Sequence, residues 1–263
     1  MAKSMKVVIL CGGLGTRLRE ETEYRPKPMV EIGGRPMLWH IMKMYGHHGF
    51  ADFVLCLGYK GQVIREFFLD YHAMNADFTI QLGVKPKVAY YDRDAIEKWS
   101  VTLAETGAET MTGARLARVA KYLRGTFLLT YGDGVSNINI RDLVAFHRSH
   151  GKLVTVTGVR PPSRFGEMDI KDNRVISFNE KPQVSQGLIN GGFFVMEPGF
   201  LRYLPDDPAC VLEQEPLQRC AQDGQLMIYR HEGFWQPMDT FREYELLNRL
   251  WTAGEAPWKT WKD

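Results

Sequence analysis

The stretch from Val7 to Met29 concentrates the residues of this 263-residue chain whose types and order could do chemistry. Val7, Val8, Ile9 and Leu10 form an apolar run that reads as a short buried strand. It empties into Cys11, Gly12, Gly13, Leu14, Gly15, Thr16 and Arg17, and Arg25-Pro26-Lys27-Pro28-Met29 follows soon after. A strand that ends in glycines brings bare backbone N–H groups close to an anion, because no Cβ stands in the way. Arg17 adds a mobile positive charge, and Lys27, held between two prolines, adds a fixed one. Together they suit a triphosphate. The G-x-G-x-x-G spacing of dinucleotide sites is absent, and no Lys-Ser/Thr follows the last glycine as in a Walker loop. The competing reading is a glycine-rich turn with basic surface residues.

Three further constellations extend this cradle. Asp133 stands between Gly132 and Gly134 at the end of an apolar run, where ligands of open α/β sheets gather. It reads either as a turn or cap acid or as a carboxylate for Mg²⁺, which takes few protein ligands beside nucleotide phosphates. Asp239 precedes a helical stretch, so alone it reads as an N-cap; opposite Asp133 it would complete a site for one metal ion bridging substrate phosphates. Lys181, in Glu180-Lys181-Pro182, reads as a strand-end lysine or as a charge for a second phosphate. Asn190, followed by Gly191 and Gly192, reads as a turn or as a hydrogen-bonding edge for sugar hydroxyls. Arg115, on a helical stretch, reads as a solvated face residue.

The elements that must position these groups follow from periodicity. Strands are expected at 7–10, 53–57, 126–131, 153–159, 190–196 and 226–229. Helices are expected at 36–45, 61–71, 112–123, 140–150, 198–203, 213–223 and 241–250, with Thr112 as a cap. Strand and helix alternating at this tempo implies right-handed crossovers and a parallel sheet. After Pro161 the pattern turns to hairpins, with Asp172-Asn173 as a tight turn between two runs. Residues 72–109 read as short strands with an excursion. The expected fold is therefore α/β, a mixed and mostly parallel sheet flanked by helices with a small β-rich subdomain. One domain spans 5–263, with a nucleotide-binding half at about 5–150 and a sugar-phosphate half with C-terminal helices at about 151–263.

Composition narrows the class. Hydrophobic residues make up 44% and charged residues 24%, ordinary for a soluble domain. With 33 basic against 31 acidic residues the net charge is +2, which is no footprint for nucleic acid or an acidic membrane. No run approaches the ~20 apolar residues of a membrane span, and the stretch Met1-Ala-Lys-Ser-Met5 reads as too short and polar for a leader. The four cysteines form no metal-binding or redox spacing, which points to small hydrophobes in a reducing, cytoplasmic compartment.

The order G-G-x-G-T-R, P-K-P-M, G-D, E-K-P and N-G-G resembles that of the sugar-phosphate nucleotidylyltransferases. Segments 39–45, 58–61, 111–116, 213–217, 233–240 and 256–261 are most similar to the members that use CTP and glucose 1-phosphate. The resemblance implies a Rossmann-like fold, Mg²⁺, transfer of a cytidylyl group to α-D-glucose 1-phosphate, and a homo-oligomer, a hexamer by the family's habit. The product would feed dideoxyhexose and O-antigen sugar synthesis. It further implies that Leu10 through Arg17, Lys27, Thr112, Gly113, Arg115 and Gly132 hold the nucleotide. Gly166, Glu180, Lys181, Asn190, Gly191 and Trp235 would hold the sugar phosphate. Asp133 and Asp239 would hold the metal, and Arg17, Lys27 and Asp133 would carry catalysis. A uridylyl- or thymidylyltransferase, or a non-catalytic nucleotide-binding relative, are the alternatives. Cys11 stands where the family commonly has Ala, and the likeness is weakest at 72–98.

Overall fold

The computed structural model describes residues 5–91, 96–161, 167–171, 174–179 and 187–262. The order of elements begins with strand β1 (Lys6–Leu10), a 3-10 turn at Thr16–Leu18 and the short helix α1 (Arg19–Thr22). A second 3-10 turn (Lys27–Met29), the paired strands β2 (Glu31–Ile32) and β3 (Arg35–Pro36), and helix α2 (Met37–His47) follow. Next come β4 (Asp52–Leu57), α3 (Gly61–Leu69), α4 (Tyr71–Asn75), β5 (Phe78–Gln81), β6 (Lys87–Tyr90), β7 (Ser100–Glu105) and α5 (Thr112–Val119). The middle of the chain gives β8 (Phe127–Tyr131), β9 (Gly134–Ser136), α6 (Ile140–His150), β10 (Val154–Val159), β11 (Glu167–Lys171) and β12 (Arg174–Asn179). It closes with β13 (Ile189–Met196), α7 (Glu215–Gln222), β14 (Leu226–His231), β15 (Trp235–Pro237) and α8 (Phe241–Thr252).

Seven strands form the main sheet in the order β14-β10-β13-β8-β1-β4-β7. All neighbours run parallel except β13, which is antiparallel to both β10 and β8. The mixed, mostly parallel sheet expected from the sequence is thus present. Strand periodicity divides the core in two. Val7, Ile9, Phe53, Leu55, Leu128, Phe193 and Val195 pack with α2 and α6 on one face. Val8, Leu10, Val54, Leu129, Phe194 and Met196 pack with α5 and α7 on the other. Every second residue of a central strand therefore belongs to the opposite layer, as burial on both sides requires.

Details differ from expectation for local reasons. The helix anticipated over 61–71 breaks at Asp70, whose N–H caps onto Glu66, and resumes as α4. Thr112 is the first residue of α5 and does not cap it; Met111 holds the N-cap position. The 198–203 helix is a 3-10 turn. β5 and β6 form a separate antiparallel hairpin. β11 and β12 pair antiparallel as the hairpin reading anticipated, while the Asp172-Asn173 turn lies outside the described residues. All four cysteines are buried. No helix among the described residues is long and apolar enough to cross a membrane.

The C-terminal tail is tied to α2 by an aromatic cage around a buried histidine. The His40 ring packs edge-on to Trp39, Trp251 and Trp258. Its Nε2 lies 2.8 Å from the Ile32 carbonyl, and Trp258 Nε1–H donates to Nδ1 at 3.4 Å. A carbonyl on one nitrogen and an N–H on the other fix the neutral Nε2–H tautomer. Burial pushes the His40 pKa down to about 4. Below the ordinary value of ~6.5 the unfolded chain binds a proton here that the folded chain refuses until about pH 4, so stability must fall through that window as pH drops. The expected loss is about 3 kcal/mol in total. Urea unfolding from pH 7 to 4 should show this slope in the wild type and a shallower one in His40→Gln; equal slopes would remove His40 as its origin.

Candidate active site

The carboxyl ends of β1 and β8 open onto a cleft of about 620 Å³, within the usual range for a ligand pocket. Cys11 continues β1 by donating its N–H to the Cys56 carbonyl at 3.0 Å. The chain then turns through Gly12 to Gly15 beneath the cleft. A larger open depression of about 1000 Å³ lies against Met5, Lys6 and Asp52, at the amino end of β1. Lys6 is already paired there with Asp52 at 2.8 Å, and open α/β sheets bind their ligands at the opposite, carboxyl end.

Two carboxylates and two cations meet across the cleft. Lys27 Nζ donates to Asp133 Oδ2 at 2.6 Å and to Asp239 Oδ1 at 2.5 Å. Arg17 Nη1 donates to Asp239 Oδ2 at 2.9 Å. These residues are far apart in sequence, and a minor sheet brings them together. β15 pairs antiparallel with β9, setting Pro237 opposite Gly134, and the Met238 N–H donates to the Asp133 carbonyl at 2.8 Å. The two aspartates consequently leave adjacent strands at the same edge. Asp239 is not the helix cap. Thr240 caps α8 in a capping box with Glu243, whose carboxylate also accepts the Asp239 N–H at 2.7 Å. The Asp239 side chain is thereby left to the cleft.

The cations differ in mobility. The Lys27 side chain is only 12% exposed, whereas that of Arg17 is 73% exposed. Burial by itself would lower the Lys27 pKa, but attraction and hydrogen bonds from Asp133 and Asp239 outweigh it and hold the value above the ordinary lysine range. Lys27 is a fixed ammonium at neutral pH. The exposed Arg17 pair is worth little in itself, so its guanidinium can exchange partners at small cost. The Cys11 thiol is fully buried, and burial pushes its pKa well up; it is a packing residue and no nucleophile.

Arg115 is not a solvated face residue. It is 3% exposed, and its guanidinium donates to the carbonyls of Gly12, Leu57, Gly107 and Ala108 and to Thr106 Oγ1 at 2.7–3.2 Å. This pins the glycine loop to the end of β4 and to the 106–108 segment. It also explains Gly12, where a Cβ would lie 2.1 Å from Arg115 Nη1.

The remaining anticipated residues divide clearly. Leu10, Leu14, Thr16, Thr112, Gly132, Asn190 and Trp235 line the cleft with those already named. Gly113 stands behind the lining, where α5 presses on the 210–212 segment and a Cβ would meet Cys210 Sγ at 2.5 Å. Gly191 also stands behind it, its carbonyl accepting from Trp235 Nε1 at 2.7 Å. Gly166, Glu180 and Lys181 lie outside the described residues. Sequence reasoning missed Tyr131 and the 108–111 segment, which also line the cleft. Tyr131 was hidden because an aromatic at the end of a buried strand reads as core.

No cluster of three or more His, Cys, Asp or Glu side chains able to hold a metal occurs among the described residues. The site does offer two carboxylates that converge on one cation, the Lys27 ammonium. Two carboxylates are what Mg²⁺ uses when substrate phosphates and water supply the other oxygens, so the donor set fits such an ion.

Comparison with known proteins accords with this geometry. The family profile described as Nucleotidyl transferase matches residues 6–252. The chain is 52% identical over 260 residues to the glucose-1-phosphate cytidylyltransferase of Salmonella typhimurium, covering 98% of this chain and 100% of that one. It is 45% identical over 258 residues to the probable glucose-1-phosphate cytidylyltransferase of Bacillus subtilis, with 98% and 100% coverage. Among solved structures, a putative glucose-1-phosphate thymidylyltransferase from Bacillus anthracis superposes with a TM-score of 0.70 at 18% identity, covering 99% of this chain and 98% of that one. A UDP-glucose pyrophosphorylase complexed with UDP-glucose gives 0.69 at 14% identity, with 95% and 99% coverage. The glycine loop, the paired aspartates and the likeness over nearly the whole length agree: the chain belongs to the nucleotidyl transferase family.

Proposed function

We propose that the protein transfers the cytidylyl group of CTP to α-D-glucose 1-phosphate, giving CDP-glucose and pyrophosphate. The observation that carries this reading is the set of two cations and two carboxylates at the mouth of a glycine loop, in a chain 52% identical to a cytidylyltransferase along its whole length. A phosphate oxygen of the sugar phosphate attacks the α-phosphorus of CTP, and the bond from that phosphorus to the oxygen bridging to the β-phosphorus breaks. The nucleophile is already an anion at neutral pH, so no general base is required. The obstacle is repulsion between two polyanions. Lys27, held in place, and Arg17, free to turn, oppose that charge and stabilise the departing pyrophosphate. The loop from Cys11 to Thr16 seats the nucleotide phosphates, with Arg115 fixing the loop. Thr112 and Gly132 border the nucleotide, and Asn190 and Trp235 border the sugar.

Asp133 and Asp239 would hold Mg²⁺, which when bound supplies Lewis-acid neutralisation of the phosphates. Lys181, from the Glu180-Lys181-Pro182 motif, is proposed as the charge on the sugar phosphate.

Release of pyrophosphate from each of CTP, UTP, dTTP and GTP with glucose 1-phosphate tests the reading; strong preference for a nucleotide other than CTP would overturn the assigned base. Lys27→Ala should lower turnover ~100-fold or more, the scale of losing one charge-stabilising donor, and near-normal kcat would remove Lys27 from the mechanism. Asp133→Asn should abolish turnover and weaken Mn²⁺ binding in the presence of CTP, measured by electron paramagnetic resonance; undiminished Mn²⁺ binding would contradict the metal assignment.

A further inference from the structure

Behind the cleft, one carboxylate touches both of its sides. Glu213 does not line the cleft; it lies two residues before α7 and is half-buried. Its Oε1 accepts a hydrogen bond from the phenol of Tyr131, and its Oε2 accepts one from Thr112 Oγ1 at 2.8 Å. Thr112 Oγ1 in turn accepts the Leu212 N–H at 2.9 Å. On the other side, Asn190 Nδ2 donates to the Tyr131 oxygen at 3.0 Å, and Asn190 Oδ1 accepts the Gly192 N–H at 2.8 Å.

The polarity of this chain is fixed at both ends. A backbone N–H can only donate and an ionised carboxylate can only accept. The sequence Gly192 N–H to Asn190 Oδ1, Asn190 Nδ2–H to Tyr131 O, and Tyr131 O–H to Glu213 therefore has a single direction. Burial, reinforced by the negative charge of Glu213, holds the Tyr131 phenol far above its usual titration range, so the hydroxyl proton stays in place. Gly192 makes the close approach possible: its φ is +79°, and a Cβ there would sit 2.5 Å from the Tyr131 ring.

We infer that Glu213 is a positioning residue for both substrates. Through Tyr131 it orients the Asn190 amide on the sugar side, and through Thr112 it anchors the start of α5 on the nucleotide side. The inference rests on the proposed assignment of those two sides.

Steady-state kinetics on six variants test it, each checked by its thermal midpoint. Tyr131→Phe should raise the KM for glucose 1-phosphate ~10-fold with the CTP KM and kcat little changed, the scale of one lost hydrogen bond. Thr112→Val should do the converse. Glu213→Ala should raise both KM values, and the double variant Glu213→Ala/Tyr131→Phe should raise the sugar-phosphate KM no further than either change alone. Glu213→Gln, whose amide oxygen can still accept from Tyr131, should restore most of the sugar-phosphate affinity. Additive effects in the double variant, or an unchanged sugar-phosphate KM in Tyr131→Phe, would overturn the inference, and the latter decides even if Glu213→Ala does not fold. Asn190→Ala is the reference. An unchanged sugar-phosphate KM there would show instead that the proposed sugar side itself is misplaced.

Discussion

A largely buried ammonium between two carboxylates is the constraint on which the site depends. Lys27 comes from a 3-10 turn between prolines, Asp133 from the end of β8, and Asp239 from the residue before the α8 cap. None is near another in sequence, and each reaches the same point because a strand or turn ends there. Taking away Lys27 would leave the two carboxylates facing one another with only the exposed Arg17, on Asp239, to offset them. Arg17 completes the charge balance from the solvent side, where exchange with an incoming phosphate is inexpensive. The arrangement suits a reaction whose difficulty is electrostatic and whose bond-making needs little covalent help from the protein.

The scaffold supports this point from both faces of the sheet. On one face Arg115 spends its guanidinium on backbone carbonyls, which fixes the glycine loop without lending it mobile charge. On the other, the tail after α8 is clamped by the His40 cage, with Trp251 and Trp258 stacked at 6.2 Å. Because α8 begins next to Asp239, a clamp on its far end also steadies the residue at its start. Packing at a distance and geometry in the cleft are in this sense one problem.

Much of the fold was legible because β1, β4 and β8 are short apolar runs that glycine soon follows, and the helices between strands carry regular apolar faces. Asp239 was only half legible: its position before a helix signals a cap, and the competing signal, Thr240 with Glu243, becomes decisive once both are seen together. Arg115 was misjudged by residue type, since arginine on a helix is usually solvated and only tertiary contacts supply four carbonyls to satisfy it. Glu213 and Tyr131 carried no local signal at all. Their meaning lies in hydrogen bonds spanning 82 and 59 residues, which no spacing rule encodes.

The most direct measurement follows the oxygen atoms of the proposed transfer. Glucose 1-phosphate labelled with ¹⁸O at its non-bridging phosphate oxygens is turned over with unlabelled CTP, and both products are weighed by mass spectrometry. Attack by the sugar phosphate on the α-phosphorus requires all of the label to appear in CDP-glucose and none in pyrophosphate. Label in the released phosphate product would contradict the account.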